Sequence, residues 1–209
     1  MTRGKLTLRC LRAGPEAVAE AARIVKDGGV VAIPTDTVYG LGCDPSSDKA
    51  VGRLFEVKNR QAKPVPVLCA DSRVAERLVN LNGVARKLAE LHWPGALTIV
   101  APLKKGGKLS ALLDQESGYL GVRVPDSDVC IALARKVGGA ITGTSANLSG
   151  QPSCRTAAQV VAALDGKIQL VLDGGTLRGK ESTVVKAWGG TIEVLREGSV
   201  RIQEGELKL

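Results

Sequence analysis

The stretch "GGVVAIPTDTVYGLG" (residues 28–42) decides how the chain is read. Gly28 and Gly29 terminate what precedes them, and Val30, Val31, Ala32 and Ile33 form an unbroken apolar run of the kind found in a buried strand. Pro34, Thr35, Asp36, Thr37 and Tyr39 then crowd five polar or stiff residues into six positions. A tight reversal uses one or two such residues. A buried strand that empties into a dense polar loop places that loop at a sheet end, where α/β proteins bind their ligands.

Outward from this stretch, helical and extended patterns alternate. PEAVAEAARIVKDGG predicts a helix that starts at Pro15 and buries Val18, Ala22 and Val25. Asp48 opens a second helix with Val51, Leu54 and Phe55 inward. PVPVLCA reads as extended, with Pro66 marking an edge or a strand end. Two short helices are expected over 71–79 and 83–91, then a stop at "HWPG" and the strand ALTIVAPL. YLGVRVP is a short strand with Arg123 in its middle. A helix from about Asp128 to Val137 leads to the strand GAIT, and another covers roughly 156–164. IQLVLD, STVVKAW and TIEVLRE follow as three successive strands. The first two thirds are βαβ-like and the end is hairpin-like. The expected fold is therefore α/β, a twisted sheet of mixed parallel and antiparallel strands flanked by helices.

At 209 residues the chain suits one domain, residues 1–209, with an aliphatic core, since only five aromatics are present (Tyr39, Phe55, Trp93, Tyr119, Trp188). Cys10, Cys43, Cys69, Cys130 and Cys154 are odd in number and show no C-x-x-C spacing, against both a disulfide framework and a zinc site. No apolar run reaches the ~18 residues of a membrane span. The charged start MTRGKLTLRCLRAGPE is unlike a signal peptide. A soluble, cytoplasmic protein is the expectation. The formal charge of +8 fits solubility or an anionic partner equally. So few aromatics disfavour a base-stacking platform for single strands.

"LVLDGGTLRGKES" (170–182) imitates a phosphate loop: Gly174, Gly179 and Lys180 match G-x-x-x-x-G-K after an apolar strand. The next residue is Glu181, not the Ser or Thr that would ligate magnesium, and the following STVVKAW is β-branched. This is a turn between strands. Gly40-Leu41-Gly42 likewise lacks the third glycine of a dinucleotide fingerprint. His92, the only histidine, precedes a Trp-Pro-Gly turn and reads as helix-end packing.

Four segments place hydroxyls or cations just past strand or helix ends. They are Thr35 to Tyr39; "FEVKNRQAKPV" with Lys58, Arg60 and Lys63; "GAITGTSANLSGQPS" with Thr142, Thr144, Ser145, Asn147, Ser149 and Ser153; and Ser182-Thr183 with Arg196. Lysine and arginine at a helix C-terminus also suit its dipole, so the second segment alone reads as a solvated end. Together, cations and neutral donors suit a phosphate-bearing ligand. No acid/base pair or activated nucleophile is evident. Chemistry here would rest on positioning and charge stabilisation, in the style of phosphoryl or nucleotidyl transfer.

In order, "IPTDTVYGLG", K-N-R…K-P at 58–64, "WPGALT", "GVRVP", "TSANLSGQPS", "LDGG", "STVV" and "LREG" resemble the YrdC-like family, the L-threonylcarbamoyladenylate synthases. The resemblance spans residues 28–198. It implies a twisted α/β fold with a cationic concave cavity. It also implies a reaction in which L-threonine, bicarbonate and ATP give threonylcarbamoyl-AMP and pyrophosphate. Thr37, Arg123, Gly143 and Ser182 would form the threonine pocket. Lys58, Arg60, Lys63, Tyr119, Ser145, Asn147, Ser153 and Arg196 would line the ATP site, with Lys58, Arg60, Ser145 and Asn147 nearest the chemistry. Magnesium would arrive with ATP, with no metal site of the protein's own. A tRNA-modifying threonylcarbamoyl transferase would take the product, for the adenosine beside the anticodon. The chain looks like the short, single-domain form. Relatives often carry a histidine where Leu68 or Cys69 stands here. The contrasting reading is a non-catalytic RNA-binding module, for which Lys104, Lys105 and Lys108 speak.

Overall fold

The computed structural model describes residues 7–59, 64–106, 108–114 and 117–203. The chain runs β1 (Arg9–Arg12), α1 (Pro15–Lys26), β2 (Val31–Ile33), β3 (Gly40–Gly42), α2 (Asp48–Lys58), β4 (Val67–Cys69), α3 (Ser72–Leu78), α4 (Gly83–His92), β5 (Leu97–Pro102), β6 (Tyr119–Arg123), α5 (Asp128–Lys136), β7 (Ala140–Thr142), β8 (Thr144–Ser145), α6 (Ala157–Leu164), β9 (Leu170–Asp173), β10 (Thr183–Trp188) and β11 (Thr191–Arg196).

The strands form two mixed sheets flanked by helices, where the sequence suggested one. The first has the order β1-β9-β2-β3-β8 and the second β11-β10-β5-β6-β4-β7. In the first, β1, β9 and β2 are parallel and β3 and β8 antiparallel. In the second, β10 lies parallel to β5 and β4 parallel to β6, the other pairs being antiparallel. The three final strands therefore do not form one meander. β9 belongs to the first sheet, and only β10 and β11 make a hairpin. The residues buried from both sheets and from the helices form one contiguous aliphatic core.

Helix boundaries follow their capping chemistry. The Ser47, Asp71 and Ser127 side chains accept from the third residue beyond, and Thr156 with Gln159 forms a capping box. Pro15 starts α1, and Gly28, at φ +82°, follows its cap residue Asp27. β4 is not an edge. It pairs with β6 and β7, and Pro66 stands immediately before it, so its missing N–H costs the ladder nothing. Arg123 ends β6 rather than lying in its middle. After β9 no helix forms, as expected for a turn rather than a phosphate loop.

One corner fixes the relation of the two sheets. β7 belongs to the second sheet and β8 to the first, and Gly143 alone separates them. A side chain at Gly143 would strike the Leu68 side chain at 2.5 Å, so the strand can turn from one sheet to the other only where the residue is bare. Thr142 stitches the corner from the other side: its hydroxyl accepts from Cys43 N–H at 2.9 Å.

Among the described residues no helix is long and apolar enough to cross a membrane. Burial pushes the thiols of Cys43, Cys69 and Cys130 up to about 12, and raises Cys154. Higher values mean less thiolate at pH 8. Burial and the nearby Asp173 raise Cys10 as well, and what sets it apart is that it alone is exposed. A thiol-reactive dye at pH 8 should therefore titrate one fast thiol per native chain and five after denaturation. A second fast native thiol would contradict this packing.

Candidate active site

A cavity of about 390 Å³ lies between the inner face of the second sheet and the loop that leaves β2. Its floor follows the two-residue period of strands. Thr98 and Val100 come from β5, and Tyr119, Gly121 and Arg123 from β6. Ser182 and Val184 continue the floor at β10. The opposite wall is Thr35, Thr37 and Gly40 with Gly143, Thr144 and Ser145. A bulge completes the rim. Val184 pairs with Arg196 but Val185 with Val194, so the extra residue Leu195 turns the end of β11 and brings both Leu195 and Arg196 to the cavity.

The polar residues crowded after β2 have separate duties. The Thr35 hydroxyl donates to Val38 C=O at 2.7 Å and accepts from Thr37 N–H at 3.0 Å, folding the loop. Its single proton is thereby used, so the Thr37 hydroxyl is the donor in the 2.9 Å contact between them. Thr37 also accepts from Arg123 Nη1–H at 3.3 Å. Tyr39 faces away from the cavity. Its hydroxyl donates to Gly175 C=O at 2.8 Å and accepts from Gly174 N–H at 3.0 Å, pegging the turn after β9.

Arg123 is held on three sides. Nε donates to Gly95 C=O at 2.8 Å, Nη1 to Thr37 and Nη2 to Asp36 Oδ1 at 2.5 Å. The Arg123 and Asp36 side chains are only 6% and 13% exposed. Arg196 wraps Ser182: Nη2 donates to Ser182 C=O at 2.8 Å and to its hydroxyl at 3.1 Å. The Ser182 hydroxyl in turn pairs with that of Thr98 at 2.9 Å. Burial lowers the Arg196 guanidinium, Glu181 opposes this, and the like charge of Arg123 adds to it. The Glu181 carboxyl is held below its usual range by hydrogen bonds, first from Ser153, and then by Arg196 and Arg155. Tyr119 stands at the rim with Lys186 Nζ 4.2 Å from its ring centroid.

The structure thus brings Thr37, Arg123, Gly143, Ser182, Tyr119, Ser145 and Arg196 to one cavity. Lys58 is placed differently. It is 2% exposed, and its ammonium lies under the hydroxyl loop, donating to Ser145 C=O at 2.5 Å and Asn147 C=O at 2.9 Å. Ser149 N–H returns a bond to Lys58 C=O at 3.0 Å, so the end of α2 and this loop brace each other. Asn147 and Ser153 line a second, more open cavity beside Gln151 and Cys154. Asn147 Nδ2 donates to Leu148 and Gln151 carbonyls, while its buried Oδ1 has no partner. Arg60 and Lys63 lie outside the described residues.

Among the described lining, the charged side chains are Arg123, Glu181 and Arg196, with Asp36 paired to Arg123. Asp36, Thr98 and Glu181 received no role from the sequence. Thr98 was legible in principle, because it alternates with Val100 on one strand face. Asp36 was not, because its partner is 87 positions away.

The segment after β9, where the phosphate-loop imitation lies, crosses the polar loop. A side chain at Gly179 would sit 2.7 Å from Thr37 C=O and 2.8 Å from its Cα, and one at Gly174 would strike Pro34. Backbone cannot yield as a side-chain tip can. Gly179→Ala should cost about 2 kcal/mol and lower the melting temperature by roughly 6 °C. Unchanged melting would show that the crossing has slack.

The two mixed sheets, their shared corner and the cavity between them define a YrdC-like α/β architecture. A family profile described as telomere recombination, that of Sua5, YciO and YrdC, matches residues 23–198, and the chain belongs to that family. It is 37% identical over 195 residues to a Bacillus subtilis protein named Threonylcarbamoyl-AMP synthase, covering 90% of this chain and 55% of that one. It is also 37% identical over 161 residues to the protein of the same name from Idiomarina loihiensis, covering 75% and 86%. The chain thus spans about half the length of the first relative and most of the second. The solved structure of Pyrococcus abyssi Sua5 complexed with L-threonine superposes with a TM-score of 0.84 at 34% identity, covering 91% of this chain and 57% of that one.

Proposed function

We propose that the protein is an L-threonylcarbamoyladenylate synthase, which forms threonylcarbamoyl-AMP and pyrophosphate from L-threonine, bicarbonate and ATP. One observation carries the reading. Thr37, Arg123, Gly143 and Ser182, which the resemblance associates with threonine, come from four separate segments to a single cavity. Tyr119, Ser145 and Arg196, associated with ATP, line the same cavity. The family relatives named for this activity support it.

In this reading the two N–H groups of Arg123 that the protein leaves over take the amino acid's carboxylate as a fork. Thr37, whose proton is committed to Thr35, offers a lone pair to the α-amine. The amine takes up carbon dioxide derived from bicarbonate, giving a carbamate and water. A carbamate oxygen then forms a bond to the α-phosphorus, and the bond to pyrophosphate breaks. Two anions must meet for that step, so Arg196, with Arg60 and Lys63, serves to offset their repulsion. Lys58 acts from behind, holding the Ser145 and Asn147 segment in place. In this reading Asn147 and Ser153, which line the second cavity, serve more distant parts of the nucleotide.

Among the described residues no cluster of three metal-ligating side chains exists. In this reading magnesium arrives with ATP, as the counter-ion of the triphosphate. The product is a reactive mixed anhydride, so a transferase that modifies tRNA next to the anticodon is its consumer in this reading.

Incubation with ATP, bicarbonate and threonine should release pyrophosphate only when all three are present. Pyrophosphate release indifferent to threonine, together with tight salt-sensitive RNA binding, would favour a binding module instead.

A further inference from the structure

Asp36 does not line the cavity, yet it grips the residue that dominates one end of it. Of the five N–H groups of Arg123, the protein uses three: one to Gly95 C=O, one to Thr37 Oγ1 and one to Asp36 Oδ1. One remains on each terminal nitrogen. Gly95 C=O and Thr37 fix the near side of the guanidinium. Only Asp36 holds Nη2, and it does so with a charge. Arg123 and Arg196 also repel one another across the cavity, and Asp36 offsets that repulsion at its source.

We infer that Asp36 is a positioning residue, whose carboxylate sets the rotation of the Arg123 guanidinium so that its two spare N–H groups meet an amino-acid carboxylate together. The inference rests on the proposed threonine reading and adds to it a residue that never touches substrate. Asparagine at this position keeps the shape and loses the charge. The guanidinium then keeps its stem contacts but is free to swing at Nη2.

The test is steady-state kinetics of pyrophosphate release by the full chain. Asp36→Asn should raise the threonine KM about tenfold, the value of one charge-assisted contact, with the ATP KM changed less than about twofold. Asp36→Glu, which restores a carboxylate, should recover most of the loss. In an Arg123→Ala background, Asp36→Asn should change the threonine KM no further, because the route of its action is gone. An unchanged threonine KM, equal rises for both substrates, or multiplying effects of the two substitutions would each overturn the inference. If Asp36→Asn does not fold, Asp36→Ser decides: a threonine KM raised selectively supports the inference and one that is unaltered sinks it. Failure of the unaltered protein to respond to threonine would remove the proposed function as well. Normal turnover with an indifferent Asp36→Asn would remove only this inference.

Discussion

Arg123→Ala should raise the threonine KM by about 100-fold while changing the ATP KM by less than about threefold, because truncating a buried charged partner costs roughly 2–5 kcal/mol. The asymmetry is the diagnostic part. Arg123 is bonded to Thr37 and Asp36, whereas Arg196 is bonded to Ser182 and, in the proposed reading, serves ATP. The same substitution strands the Asp36 carboxylate, which is only 13% exposed, and frees Gly95 C=O and Thr37 from their donor. Loss of one partner of a buried pair costs about 3 kcal/mol, which lowers the melting temperature by roughly 10 °C. Kinetics should therefore be read at low temperature, with folding checked by circular dichroism. Equal rises in both KM values, in a variant that remains folded, would contradict the place given to Arg123.

The second large effect is expected at Lys58. Lys58→Met preserves the bulk of the stem and removes the ammonium that holds the Ser145 and Asn147 carbonyls. Each carbonyl then loses a donor, a cost of about 1–3 kcal/mol, partly offset because no charge needs to be buried. The net loss of stability should be about 2 kcal/mol, read by thermal unfolding. Turnover should suffer far more. A shift of Ser145 by about 1 Å is enough to lower kcat/KM by about 100-fold. A variant that melts like the unaltered protein yet is inactive would show that the ammonium meets substrate itself rather than bracing the loop.

These two residues also mark what the sequence can and cannot disclose. The long elements were legible because their patterns are local. The stripe of Val18, Ala22 and Val25 specifies α1, and ALTIVAPL specifies β5. The division into two sheets was not. β3 is Gly-Leu-Gly and β8 is two residues long, too short for any period; β3 folds back on β2 beside it, and the two short strands are joined only by a pairing far along the chain. β1 is charged and largely exposed, and it is a strand because β9 lies beside it. The cavity was foreshadowed by its hydroxyls and cations, but their division of labour was hidden. Lys58 at a helix end looked like a solvated terminus. It is buried because a loop almost ninety residues later folds over it. Asp36 stood in plain sight without a partner to explain it.

The crossing at Gly143 has a mechanical consequence. With one residue joining the sheets beside the cavity, its two jaws cannot part at Gly143 without breaking the Cys43–Thr142 hydrogen bond and the β4–β7 pairing together. The opposite lip hangs on β11, the outermost strand, with its hairpin partner on one side only. Widening of the cavity is therefore expected from the β11 side, while the Gly143 side stays fixed.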